Sequence, residues 1–224
     1  MNPLKTPSSS AMPIHKSLYR KWWFWVLATP LILFIAVVIY RIPFVMEKDR
    51  TEQVVAQIHA QKLTMNDVNG EHLPPPPDPA LVDATIEGVD ANANGIRDDV
   101  ELAIFKKYPD SARIRSAELQ YAKALQMELG DTFNVETLTA VVWEESRGYF
   151  CIDSTFPQLP KSASSEEWNQ QDKKFNSRIT EVKNLVFNTN ARVQKREDIF
   201  NKYASSHSSP SDEFCDVDFS KLAN

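Results

Sequence analysis

Near the middle of the chain stands the stretch Asp90-Ala-Asn92-Ala-Asn94-Gly95-Ile96-Arg97-Asp98-Asp99-Val100-Glu101. Side chains that carry oxygen occupy its positions 1, 3, 5, 9 and 12, and a glycine occupies position 6. A hard divalent cation takes roughly six to eight oxygen ligands, so a short loop that binds it must wind around it. Glycine permits the sharp bend, because it has no Cβ to oppose a left-handed backbone. The spacing predicts a Ca²⁺ site that leads directly into a helix.

Each position of this loop has a predicted role at the metal. Glu101 would close the shell with both carboxylate oxygens, and Asp98 would bind through a water molecule. The other ligands would be three side-chain oxygens and one backbone carbonyl, from Asp90, Asn92, Asn94 and Ile96. The alternative is a turn at Asn94-Gly95 followed by a helix cap at Asp98 or Asp99. That alternative leaves the spacing of Asp90, Asn92 and Glu101 unexplained.

The stretch resembles the calcium loop of EF-hand proteins, in the single-hand form that dockerins and some other bacterial proteins carry. The resemblance covers residues 86–105 and implies a Ca²⁺ cofactor held by one loop. Arg97 departs from the pattern, because position 8 normally carries an apolar residue that pairs with a second hand. No second loop of this kind occurs in the sequence. The chain is also similar to an uncharacterised family of bacterial single-pass membrane proteins with such a loop, and that resemblance implies no activity.

An uncharged run, residues 22–40, precedes the loop. At about 1.5 Å per residue a helix over this run reaches roughly 28 Å, enough to cross a bilayer core. Tryptophans near its start and Tyr40 at its end match the aromatic residues found at membrane interfaces. We predict a transmembrane signal anchor over residues 22–44 that contacts the lipid bilayer through residues 22–40.

Charge on either side of the run predicts its orientation. Residues 1–21 contain Lys and Arg but no acid, whereas the other flank mixes both signs. The positive-inside rule leaves a disordered tail, residues 1–21, in the cytoplasm and exports the rest of the chain. The alternative of a cleaved signal peptide lacks a small-x-small site after the run. We predict a single-pass protein of the bacterial inner membrane with a periplasmic C-terminal domain.

The exported part is acidic. Four of the 25 Lys and Arg precede residue 22, which leaves 21 against 30 Asp and Glu. This balance disfavours nucleic acid as a partner, because binding to phosphates requires a basic surface. It suits a weak calcium site in a compartment where calcium is ample.

The two cysteines of the sequence, Cys151 and Cys215, both follow the anchor. In an oxidising compartment they are expected to form a disulfide. A metal site is disfavoured, since no histidine lies near either cysteine in the sequence, and two separate buried thiols are the alternative.

A run of prolines divides the chain after the anchor. Residues 45–79 read as a stalk helix followed by a Pro-rich spacer, in which consecutive prolines favour polyproline II. Such a segment can also bind an aromatic-lined groove on a protein partner. Residues 80–224 are predicted to form an exported helical domain that contains the calcium loop 90–101.

The exported domain shows helical periodicity and no strand pattern of length, which predicts an all-α fold. Helices are predicted over residues 98–108, 111–129, 134–147 and 164–205, with Gly148 ending the third. The last is a long C-terminal helix with an apolar stripe. It would pack on the other helices of the same domain or form a coiled coil with a protein partner.

One segment bears on catalysis. Trp143-Glu144-Glu145-Ser146-Arg147-Gly148 resembles the Glu-Ser segment of lytic transglycosylases, in which a helix-borne glutamate is the general acid on peptidoglycan. The resemblance implies Glu145 in that role, but the family's downstream Gly-Leu-Met-Gln-like run is absent. Nucleophilic catalysis through histidine lacks support, because none of the four histidines lies near an acidic cluster in the sequence.

We therefore interpret the chain as a non-enzyme: a membrane-anchored, calcium-stabilised extracytoplasmic protein that acts as a binding or structural module. The alternatives are a lytic transglycosylase-like enzyme that uses Glu145 and a calcium-responsive sensor. Two asparagines among the ligands lower the charge of the loop, which favours weak, structural binding at external calcium concentrations.

Overall fold

The computed structural model describes residues 15–130, 132–206, 210 and 213–222, and over these residues the chain is helical without strands. This confirms the predicted all-α class. The described part has eight α-helices: α1 His15–Ala60, α2 Met65–Asn69, α3 Pro79–Val82, α4 Asp98–Lys107, α5 Ala112–Leu129, α6 Val135–Asp153, α7 Ser165–Val186 and α8 Asn190–Tyr203. A 3₁₀ turn, Phe219–Lys221, follows near the end.

The chain forms two compact units, Met1–Arg50 and Thr51–Asn224. In the described residues of the first unit, α1 is long and apolar enough to cross a membrane, with a mean hydropathy of 2.3 over its most apolar window. Helix α1 begins at His15, so residues 15–21 of the predicted disordered tail are helical; the rest of that tail lies outside the described residues. The predicted anchor and stalk form one helix, which continues through Pro43 to Ala60.

The core of the second unit is built on α5 and α6. Almost every side chain of α5 is buried, and Leu119, Tyr121 and Leu125 lie at the centre. Helix α6 does not end at Gly148 as predicted but runs to Asp153. A Cβ at Gly148 would lie 2.8 Å from the Cα of Tyr121. This glycine therefore permits close packing of two helices rather than ending one.

The predicted long C-terminal helix is two helices. Helix α7 ends at Val186, and the Thr189 hydroxyl accepts a hydrogen bond from the backbone N–H of Arg192 to begin α8. The apolar stripe of α7 is buried in the main core of the same domain, through Phe175, Ile179, Val182 and Val186. The chain's own core thus covers this part of the stripe, whereas Trp168 on α7 and Val193 on α8 are exposed.

The disulfide between Cys151 and Cys215 is present, as predicted. It joins the last turn of α6 to the C-terminal segment across a sequence separation of 64 residues. In the chain-entropy description, closing a loop of this length contributes about 4 kcal/mol to stability.

Candidate metal centre

The loop 90–101 is held in shape by side chains that accept hydrogen bonds from its own backbone. The Asp90 carboxylate accepts from the N–H groups of Asn94 (3.2 Å) and Gly95 (2.8 Å), and Asn94 Oδ1 accepts from Ile96 N (2.8 Å). Gly95 has φ +86°, the left-handed conformation that its lack of a Cβ allows. The buried Ile96 side chain anchors this bend in the main core.

The two acids at the end of the loop belong to the first turn of α4 and are buried, each with 1% of its surface exposed. Asp98 Oδ1 accepts from Ala91 N at 2.9 Å, which brings the two ends of the loop together. Asp98 Oδ2 is buried without a hydrogen-bond partner. Asn92 Nδ2 donates to Glu101 Oε2 at 3.1 Å. The structure therefore brings all five predicted side-chain ligands into one loop.

The charges of these two acids have no counterpart close by. Burial raises the pKa of Glu101 to about 7, although the amides of Asn92 and Asn94 oppose the shift. Burial also raises the pKa of Asp98, with smaller contributions from the charges of Asp90 and Asp99. Across the described residues, no Lys, Arg or His nitrogen lies within 4.0 Å of either carboxylate. Such a pair of buried acids fits a bound cation.

The chemistry of the donors in the loop is that of hard oxygen ligands. No group of three His, Cys, Asp or Glu side chains placed to hold a metal ion occurs in the described part of the chain, so Asp90, Asp98 and Glu101 do not form such a group. The loop mixes carboxylates with amide oxygens, which are hard ligands of the kind that Ca²⁺ takes.

Arg97, which departs from the EF-hand pattern, fastens the loop to α7. Its guanidinium is buried and donates to the carbonyl oxygens of Leu185 (2.9 Å) and Val186 (3.0 Å). These carbonyls belong to the last turn of a helix, where no backbone N–H is available to them. Asp99 pairs with the same guanidinium at 2.5 Å. The loop is therefore fastened to the end of α7 in the same chain.

Arg192 joins α8 to the segment that precedes the loop. From α8, its buried guanidinium donates to the carbonyl oxygens of Val82 (2.8 Å), Thr85 (3.2 Å) and Ile86 (2.8 Å), in the segment that leads into the loop. These contacts of Arg97 and Arg192 could not be predicted from the sequence, because they join residues about a hundred positions apart. The one indication in the sequence was the unusual arginine at position 8 of the loop, Arg97.

A second buried carboxylate, Glu144, lies on α6 in a different environment. It accepts hydrogen bonds from His59 Nδ1 (2.8 Å), Lys62 Nζ (3.0 Å) and Arg147 Nη1 (2.7 Å). Arg147 also pairs with Asp216 at 2.8 Å. Burial opposes ionisation, but these three donors hold the pKa of Glu144 below its ordinary value. The sequence has no histidine beside an acidic cluster, but the fold brings His59 to Glu144 although the two are 85 residues apart in sequence.

Comparison with known proteins gives no relative. No protein-family model, curated protein or solved structure matches the chain. The chemistry of the loop and of the Glu144 cluster therefore has to be judged from their own residues.

Glu145, the residue that resembles a transglycosylase acid, takes part in contacts between helices. Its carboxylate accepts from the Tyr121 hydroxyl at 3.2 Å and lies 3.4 Å from Lys183 Nζ. Nearby, Glu128 pairs with Arg196 at 2.6 Å. These contacts join α5, α6, α7 and α8, and they give Glu145 a structural role in the fold.

Proposed function

We propose that the loop 90–101 binds one Ca²⁺, and that the chain is a membrane-anchored, calcium-stabilised protein that acts as a binding or structural module. The observation that carries the proposal is Asp98 Oδ2, a buried carboxylate oxygen without a hydrogen-bond partner inside a loop of oxygen side chains. The ligands would be Asp90, Asn92, Asn94, Asp98 and Glu101, together with the Ile96 carbonyl. Calcium would supply a positive charge in direct contact with Asp98 and Glu101, which pair with no cationic side chain in the described residues.

The membrane helix supports a location in the cell envelope. Residues 22–40 are uncharged, and the preceding residues carry only basic charge. By the positive-inside rule we place the N-terminus in the cytoplasm and the helical domain in the periplasm of a bacterium with an inner membrane. That compartment also allows the disulfide. An alkaline phosphatase fused after Asn224 should be active, and an inactive fusion would contradict this orientation.

A protein partner is proposed at the Pro-rich segment. Pro75 and Pro76 are exposed, whereas the apolar stripe of α7 is covered by the chain's own core. An aromatic-lined groove is the surface that recognises polyproline II. Crosslinking in membranes should therefore capture a protein with the wild type and lose it with Pro75 and Pro76 changed to alanine.

A calcium-responsive sensor is the second candidate, and Arg97 favours it. Because this arginine joins the loop to the last turn of α7, a change in the loop is transmitted to that helix end. Structural calcium would leave the contact in place at every calcium concentration. Amide hydrogen exchange at residues 186–190 distinguishes the two, since only a sensor changes there under conditions in which the domain stays folded.

Calorimetry tests the calcium proposal on the full-length protein in detergent. Titration with CaCl₂ should show one site in the wild type and none in Glu101→Gln. Glu197→Gln is the matched control, because Glu197 is exposed and the substitution changes net charge equally. An absence of binding in the wild type at several millimolar calcium would overturn the proposal.

A further inference from the structure

A buried lysine lies against the outer side of the calcium loop. Lys123, on α5, has 6% of its surface exposed. Its stem packs on the bend of the loop, since a Cβ built on Gly95 would lie 3.2 Å from Lys123 Cε. The same lysine lines one cleft with three of the predicted ligands, Asp90, Asn92 and Asn94.

Several surrounding charges, rather than one ion-pair partner, act on the ammonium group. Burial lowers the pKa of Lys123, and the carboxylates of Asp216, Asp67 and Asp90 oppose that shift. Lys62 adds a repulsion. No ion pair within 4.0 Å involves Lys123 in the described parts of the chain. Asp90 is thus the one residue of the loop whose charge acts on the ammonium group, after Asp216 and Asp67.

We propose that Lys123 is a built-in cation that sets the calcium affinity of the loop and discriminates against ions of higher charge. The inference rests on the proposed calcium site. Coulomb repulsion grows with the charge of the bound ion, so the ammonium penalises a trivalent ion more than a divalent one. Before calcium binds, the same charge partly balances that of Asp90.

Lys123→Met tests this role, because methionine fills the space of the lysine stem without its charge. In the full-length protein in detergent we expect Ca²⁺ to bind about tenfold tighter, the change produced by removing about 1.4 kcal/mol of repulsion. A trivalent Tb³⁺ ion should gain roughly thirtyfold, since the same field acts on three charges instead of two. Lys123→Arg should bind both ions as the wild type does.

Lys106→Met is the matched control, because Lys106 is exposed on α4 and its loss changes net charge equally. Its calcium affinity should equal that of the wild type. If Lys123→Met does not fold by circular dichroism, Lys123→Gln takes its place with the same expected gains.

The outcomes separate this inference from the calcium site itself. The inference is supported if the wild type binds calcium and Lys123→Met gains more affinity for Tb³⁺ than for Ca²⁺. Calcium binding that is unchanged or weaker in Lys123→Met overturns the role of Lys123 and leaves the site standing. Equal gains for both ions also overturn it, because a purely structural effect does not scale with ion charge. If neither the wild type nor the variant binds either ion, both proposals fail.

Discussion

Two buried carboxylate clusters in this domain differ in whether a cationic side chain contacts the carboxylate. Glu144 has 6% of its surface exposed and receives hydrogen bonds from a histidine, a lysine and an arginine. Glu101 has 1% exposed and receives a hydrogen bond from an asparagine amide. Their pKa values accordingly move in opposite directions, down for Glu144 and up to about 7 for Glu101.

The contrast shows what each cluster needs in order to be stable. Burial costs a carboxylate its hydration, and nearby positive charges or hydrogen-bond donors compensate that cost in the ionised state. Cationic side chains contact the carboxylate of Glu144 directly. At Glu101 the donors are neutral amides, so we propose that a bound calcium ion supplies the rest of the compensation. The first cluster should therefore be indifferent to calcium, and the second should depend on it.

Removing the central cation of the Glu144 cluster should have the largest effect. Arg147→Met leaves Glu144 and Asp216 buried with fewer partners, and loss of one member of a buried ion pair costs about 3 to 5 kcal/mol. We expect urea denaturation to show this loss equally in calcium and in chelator. A loss that appears only in chelator would show that the two clusters are not independent.

Glu118 allows the cost of burying a carboxylate to be measured away from the loop. Burial raises its pKa to about 7, with the Tyr108 hydroxyl and the charges of Lys107 and Arg178 opposing the shift. A raised acid pKa means that the folded state binds the proton more tightly. The free energy of unfolding should therefore fall as pH rises from about 4.5 to about 7.

Glu118→Gln should remove this part of the pH dependence. Between pH 5 and pH 8 the free energy of unfolding of the variant should fall by about 2 kcal/mol less than that of the wild type. Urea denaturation in chelator at the two pH values gives the difference. Glu197→Gln should show the same pH dependence as the wild type. A Glu118→Gln curve parallel to that of the wild type would contradict the assigned cost of burial.

The loop 90–101 could be proposed as a metal site from sequence because its candidate ligands are neighbours along the chain. Asp90, Asn92 and Glu101 reach one loop by local geometry alone, and the following helix begins at Asp98. The all-α class and the disulfide were predictable for similar reasons, from periodicity and from two cysteines in one compartment. Calcium binding itself stays a prediction.

Other features depend on contacts that no local pattern contains. Gly148 was interpreted as a helix end, yet the close approach of Tyr121 explains it. The Glu144 cluster joins residues from the end of α1, from α6 and from the C-terminal segment. The predicted helix over residues 164–205 breaks after Val186, where the Thr189 side chain caps α8.

Substitution of Lys62 should have the smallest effect on stability, because solvent exposure limits what its charge contributes. Its ammonium contacts the same carboxylate as Arg147, but 39% of its side chain is exposed. Exposed ion pairs contribute about 1 kcal/mol or less. We expect Lys62→Met to cost no more than this in urea denaturation. A cost as large as that of Arg147→Met would mean that exposure does not set the contribution of a cation in this cluster.

Thermal unfolding with and without calcium tests most directly whether the loop needs a cation from outside the chain. The full-length protein in detergent is melted in chelator and then in millimolar calcium, as wild type, Glu101→Gln and Arg147→Met. Calcium should raise the melting temperature of the wild type and of Arg147→Met by similar amounts, because binding to the folded state stabilises it. Glu101→Gln should show no rise. Equal melting temperatures of the wild type in chelator and in calcium would contradict the account.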